Sequence, residues 1–249
     1  MPETPNEWLV NQVRLTLFPT PMPAVIDGAG WWEELTGSRP ETIVENPKMA
    51  TREVQGEFSG VTLTLQINPL RIDWLLGAGP RALDGLADPS ATAGPWIATL
   101  GVFAGLMEKW LVSAEWPPIV RLGFGVTISL RVPSREAGYE LLGTLLKAVQ
   151  LDAATSSDFS YQINRPRVSQ ALPTTKINRL SKWVVGAQQA FVASPSGMAM
   201  GAREHFVRVE LDINTAPETL EALPKAKVPE LLHELLSLAK EIVANGEIP

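Results

Sequence analysis

Cysteine is absent from the 249 residues, which excludes disulfides, thiolate catalysis and cysteine–zinc sites. Histidine is nearly absent. His205 and His233 are the only two, so any imidazole-based site is sparse. Charge is scarce as well, at 19% of residues, and leans acidic: 21 Lys and Arg stand against 27 Asp and Glu, a net −6. That balance excludes a general affinity for nucleic acid, which needs a net basic face, though it allows a local basic patch. Long apolar runs are missing too. The longest uncharged stretch, from Pro89 to Met107, is broken by Gly94-Pro95. Its continuous part is about 12 residues, against the roughly 20 that a membrane span needs. The N-terminal residues Met1 to Glu7 are acidic and lack a charged-then-apolar signal pattern. The expectation is a cytoplasmic protein with no membrane association. What is plentiful is apolar side chain, 45% of the chain, enough for a substantial core.

Periodicity assigns most of the elements. Val13 to Leu17 alternates apolar and polar residues and reads as a half-buried strand. Gly30 to Gly37 reads as a short helix, Met49 to Phe58 as a weak strand and Val61 to Ile67 as a clear one. After Asn68-Pro69 the apolar parity flips to Leu70, Ile72 and Trp74, which demands a bulge or a tight turn. Trp96 to Val112 reads as a helix. Val120 to Arg131 is the clearest strand, with Val120, Leu122, Phe124, Val126, Ile128 and Leu130 on one face. Ser134 caps a following helix. Phe159 to Val168, Ile177 to Val192 and the stretch around Val207 to Ile213 read as strands, and a wide apolar face marks a last helix from about Pro229 to Asn245. Strand, helix, strands, helix thus occurs twice. The order predicts α+β architecture in two similar halves, each a mainly antiparallel sheet packed by helices, a helix-grip or saddle-like pseudo-duplication. The halves are 1–116 and 117–249, fused into one compact body.

Motifs with defined chemistry fail on inspection. Gly77-Ala78-Gly79-Pro80-Arg81-Ala82 fits a dinucleotide fingerprint, but Pro80, Gly85 and Pro89 leave no room for the helix that must follow. His233-Glu234 begins a zinc-protease pattern, but Ser237 stands where the second histidine is required. No cofactor and no metal is expected. The unusual stretch is Phe159 to Trp183, where Arg165, Arg167, Lys176, Arg179 and Lys182 occur without a single carboxylate. Ile-Asn-Arg appears twice in it, at 163–165 and 177–179. If the two segments pair as a hairpin, Asn164, Arg165, Arg167, Asn178, Arg179, Lys182 and Trp183 converge on one face as a candidate binding site. Arginine forks and Asn amides suit a carboxylate or a phosphate. Internal pairing with Asp and Glu of neighbouring strands is the structural alternative.

The runs Leu65-Gln66 with Arg71-Ile72-Asp73-Trp74, Tyr161-Gln162-Ile163-Asn164, and Leu211-Asp212-Ile213-Asn214-Thr215 before an apolar terminal helix resemble one family. It is that of the sporadically distributed, uncharacterised bacterial proteins of similar length. The resemblance implies a bacterial cytoplasmic protein of two-part α+β build and brings no activity or catalytic residue with it. The functional expectation is a non-catalytic binding or scaffold protein whose basic Asn/Arg surface contacts an acidic protein partner, with a homo-oligomer left open. The alternative is an enzyme or small-ligand protein holding an anionic ligand between helices and curved sheet.

Overall fold

The computed structural model describes residues 7–21, 26–78, 82–83, 86–87, 91–194, 197–217 and 221–247, with side chains described outside 82–87, 190–194 and 197–202. The elements in chain order are β1 (Leu9–Pro19), α1 (Gly28–Thr36), β2 (Thr42–Asn46), β3 (Thr51–Phe58), β4 (Val61–Asn68), β5 (Arg71–Gly77), β6 (Ala82–Leu83), β7 (Leu86–Ala87) and β8 (Gly94–Pro95). There follow α2 (Trp96–Ser113), β9 (Ile119–Val132), α3 (Arg135–Leu145), β10 (Ser160–Asn164), β11 (Arg167–Val168), β12 (Lys176–Ser194), β13 (Gly197–Thr215) and, after a 3₁₀ turn at Lys225–Lys227, α4 (Val228–Asn245). Among these described residues no helix is long and apolar enough to cross a membrane.

Local signals explain the boundaries. Asp27 caps α1 by accepting from the Gly30 N–H at 2.9 Å, and Gly37 ends it in a left-handed conformation that a Cβ would oppose. Ser134 caps α3 through the Ala137 N–H. The parity flip after Asn68 is a hairpin turn, in which the Asn68 carboxamide oxygen accepts from the Leu70 and Arg71 N–H groups.

The expected fold class is overturned. Instead of two helix-packed halves there is one 11-stranded sheet, whose main path runs β10-β12-β13-β9-β1-β5-β4-β3-β2. β1 and β9 pair antiparallel along their whole length, from Leu9 opposite Ser129 to Pro19 opposite Ile119. The reason is physical. Both strands carry apolar residues on the same face in register, with Val13 beside Val126, Leu15 beside Phe124 and Leu17 beside Leu122. Left apart, each would present a long apolar edge to solvent. Periodicity reveals which face is buried but not which strand lies alongside, and the pairing erases the division that element order suggested.

All four helices pack on one face of this sheet. α1 covers β3 and β4, α2 covers β1, α3 covers β9, β12 and β13, and α4 covers β9 and β13 while also packing on α2. One continuous apolar cluster results. Its heaviest part is four tryptophans. Trp31 meets Trp110 edge to face at 5.2 Å, Trp110 meets Trp74 at 5.7 Å, and Trp74 stacks on Trp32 at 6.3 Å. Each such pair adds about 0.5–1.5 kcal/mol beyond burial itself. Gly56 is required beneath them, because a Cβ there would lie 2.9 Å from Trp32 Cζ2. Among the described residues no helix lies on the opposite face of the sheet, which is mostly polar.

Candidate functional site

β10 and β12 do form the expected antiparallel pair, with Tyr161 opposite Trp183 and Asn164 opposite Leu180. Strand alternation then sends the candidate residues to two different faces. Asn164, Asn178 and Lys182 belong to the open face. Arg179 and Trp183 lie on the helix face, where Trp183 is fully buried core and Arg179 is 2% exposed.

The charged members of the stretch are engaged within the molecule. Arg165 Nε donates to the Glu247 carboxylate just beyond α4. Arg167 grips Glu241 of α4 with two hydrogen bonds of 3.0 and 3.1 Å. Lys182 Nζ stands 3.3 Å from Glu210 on β13. Burial, followed by the neighbouring Arg167 charge, lowers the Arg179 pKa. The asparagines form a chain on the open face. Asn164 donates to Asn178 at 3.0 Å, Asn178 to Asn214 at 3.2 Å, and Asn214 to Asp212 at 2.9 Å, while Arg121 also donates to the Asn214 oxygen. The stretch therefore does not make one exposed basic surface.

The open face instead contains a groove of about 280 Å³ over the middle of the sheet. β9 forms its floor, where Gly125 contributes no side chain beyond hydrogen and Thr127 follows it. Register places Asp212 on one side of Gly125 and Arg14 on the other. One step along, Glu210 and Gln12 flank Thr127. Lys182 and Gln162 extend the wall outward on β12 and β10. Two cations, two carboxylates and two carboxamides thus surround a glycine floor.

A buried carboxylate underpins the first of these walls. Asp73 on β5 is 1% exposed although it sits on the open face. Thr16 Oγ1 donates to its Oδ1 at 2.6 Å, Arg71 Nε stands 2.7 Å from its Oδ2, and Arg14 Nε stands 3.9 Å from its Oδ1. Asp73 fixes Arg14 from below by charge rather than by a hydrogen bond, for Arg14 Nε has no hydrogen-bond partner. The guanidinium remains about one-third exposed to the groove.

Other motifs resolve simply. His233 is exposed and meets Glu108 of α2 at 2.7 Å, tying α4 to α2. His205 lies within β13 opposite Val132. Gly77 ends β5 with Gln12 and Thr62 as neighbours, and residues 79–81 of the glycine motif lie outside the described residues. Among the described residues no three His, Asp or Glu side chains are grouped to hold a metal ion. Comparison with protein-family models, with curated proteins and with solved structures finds no match to this chain.

Apart from Lys182, the groove residues escaped sequence reading because they come from five strands. One signal did exist: Gly123 and Gly125 alternate along the outward face of the strongest strand. Glycine inside a strand marks close approach or deliberately empty space.

Proposed function

We propose that the protein is a non-catalytic binding protein of the bacterial cytoplasm that takes a carboxylate-bearing protein segment in the groove over Gly125. Arg14 is the anchor. The observation that carries this reading is the state of that guanidinium. The Arg14 side chain is placed beside buried Asp73, lies over Gly125, and is about one-third exposed where it lines the groove. A carboxylate entering there completes a charge-assisted pair, the stronger class of hydrogen bond. Gln12 and Gln162 offer donors and acceptors suited to a peptide backbone. Asp212 and Glu210 opposite limit the number of negative charges that the site accepts, so a segment with spaced carboxylates fits better than a polyanion. The bacterial and cytoplasmic parts of the proposal rest on the resemblance of the quoted motifs.

The test is titration of the ¹⁵N-labelled protein with an end-blocked (Glu-Gly)₄ peptide. The expected result is shifts centred on the amides of Gly123, Gly125 and Thr127, at least tenfold weaker in Arg14→Gln and unchanged in Arg131→Gln. Gly125→Ala should also weaken binding while the fold survives, since its Cβ would meet only the Arg14 guanidinium, at 3.3 Å from Nη2, and displace that anchor. No shifts, or shifts clustered at Arg165 and Arg167 instead, would overturn the proposal.

A further inference from the structure

Arg179 is the anomalous member of an otherwise apolar row. Across the helix-facing side of the sheet its neighbours in register are Ile213, then Phe124, Leu15, Trp74, Leu65 and Val54. Among the described residues its Nε and Nη1 have no hydrogen-bond partner. A guanidinium does not shed its proton to escape burial, so these donors stay charged and unsatisfied. The adjacent carboxylates are committed elsewhere, Glu247 to Arg165 and Glu241 to the Arg167 fork. Among the described groups, Arg179 with Arg165 and Arg167 thus sets three guanidiniums against the two carboxylates of Glu241 and Glu247.

The unsatisfied guanidinium lines a cavity of about 10 Å³ beneath α4, together with Ser181, Ile163 and Ile242, and with Arg165 and Glu247 at its side. We propose that this cavity is a binding site for one monatomic anion of the chloride class, held by Arg179 with the Ser181 hydroxyl beside it. Size sets the class, because a space of this order accommodates about one water-sized particle. A tetrahedral oxyanion or a carboxylate metabolite is too large. Charge separates an anion from a water molecule in the same space. Water satisfies a donor but leaves the excess positive charge unanswered, whereas a halide answers both. The occupied site would link β12 to the end of α4. Anion binding is thereby assigned to an interior position on the face away from the groove, and it stands independently of the function proposed above.

The test uses the full chain and sodium chloride. The ³⁵Cl resonance broadens when chloride exchanges with a protein site. Excess broadening is expected with the wild type, progressively diminished by a rising excess of bromide and not by sulfate, and absent in Arg179→Met. In urea unfolding at constant ionic strength, with gluconate replaced by chloride, the unfolding constant of the wild type should fall about elevenfold at ten times the dissociation constant. Arg179→Met should show no chloride dependence and, without chloride, should be at least as stable as the wild type. Should that variant fail to fold, the bromide and sulfate competition on the wild type still decides. Absence of chloride broadening, equal displacement by sulfate, or undiminished broadening in Arg179→Met would each overturn the assignment.

Discussion

Asp73→Asn isolates the part played by one buried charge in holding the groove together. The substitution keeps the shape of the side chain and leaves an acceptor for the Thr16 hydroxyl, but it removes the negative charge between Arg71 and Arg14. The Thr16 bond, 2.6 Å long and buried, then falls from the charge-assisted class at about 1.5–3 kcal/mol to the neutral class at about 0.5–1.5 kcal/mol. Arg71 and Arg14 are 42% and 34% exposed, so both regain water and each pair accounts for about 0–1 kcal/mol. The expected loss is about 2 kcal/mol, below the roughly 3–5 kcal/mol of a fully enclosed pair that loses one member. Urea unfolding followed by tryptophan fluorescence reads it directly, Trp74 being the next residue. With a slope of about 3 kcal/mol/M the midpoint drops by roughly 0.7 M. Thr16→Val supplies the second arm of a double-mutant cycle, with an expected coupling of about 1 kcal/mol. Asp73→Asn should also weaken the groove's hold on the (Glu-Gly)₄ peptide, because Arg14 loses its support. A loss under about 0.5 kcal/mol with no coupling would refute this account, since exposed pairs behave that way.

Other outcomes follow from single features. Gly56→Ala should cost about 1–3 kcal/mol in the same assay, as expected for overpacking, because its Cβ would collide with the Trp32 ring and lie 3.3 Å from the Glu41 backbone nitrogen. Arg165→Ala should cost more than Arg167→Ala: the first strands Glu247, whose side chain is 4% exposed, while the second releases Glu241 at 30%. The figures expected are about 3 kcal/mol and about 1 kcal/mol, and equal losses would contradict the assigned burial. The Asp152 carboxylate, which accepts from Thr155 Oγ1 and the Ala154 N–H, is held below its ordinary value of 3.8. Its depressed pKa means that its contribution to stability is present above the unfolded value and is lost as pH falls through the folded one. A carboxyl ¹³C titration should therefore place its midpoint below 3.8, and Asp152→Asn should flatten the acid limb of the stability profile.

Legibility in the sequence tracks how local each cause is. The alternation of Leu122 to Leu130 and the stripe of α4 are visible because burial of one face leaves a period in the chain. The strand β2 leaves none. All five of its residues are exposed, so Thr-Ile-Val-Glu-Asn carries no burial pattern. The basic stretch shows the same limit in its chemistry. From Phe159 to Trp183 no carboxylate is in view, which suggests exposed cations. The partners of Arg165 and Arg167 are Glu247 and Glu241, separated from them by 82 and 74 positions. Charge pairing at that range is set by where α4 lies, and local composition carries no trace of it. The repeated Ile-Asn-Arg likewise suggests two equivalent pairs. Strand alternation instead splits each pair between the faces, with Asn178 on the open side and Arg179 in the core.

The continuity of the sheet and the existence of the groove are one fact. Arg14 comes from the first strand of the chain and Asp212 from the last, and only β9 lies between them. If residues 1–116 and 117–249 had closed around separate sheets, Arg14 would have kept Asp73 of β5 beside it but no facing wall, and Gly125 would have lain at an edge. Antiparallel pairing of β1 with β9 and of β9 with β13 brings the opposite charges to the two sides of Gly125. Adjacent strands are about 4.8 Å apart, so the walls stand roughly 10 Å from each other, a span suited to one extended segment. A larger residue at 125 would press on the Arg14 guanidinium, 3.3 Å away at Nη2, and narrow that span, while the helix-face core lies on the other side of β9. The bare backbone of Gly125 between Arg14 and Asp212 is what opens the groove at the centre of the open face.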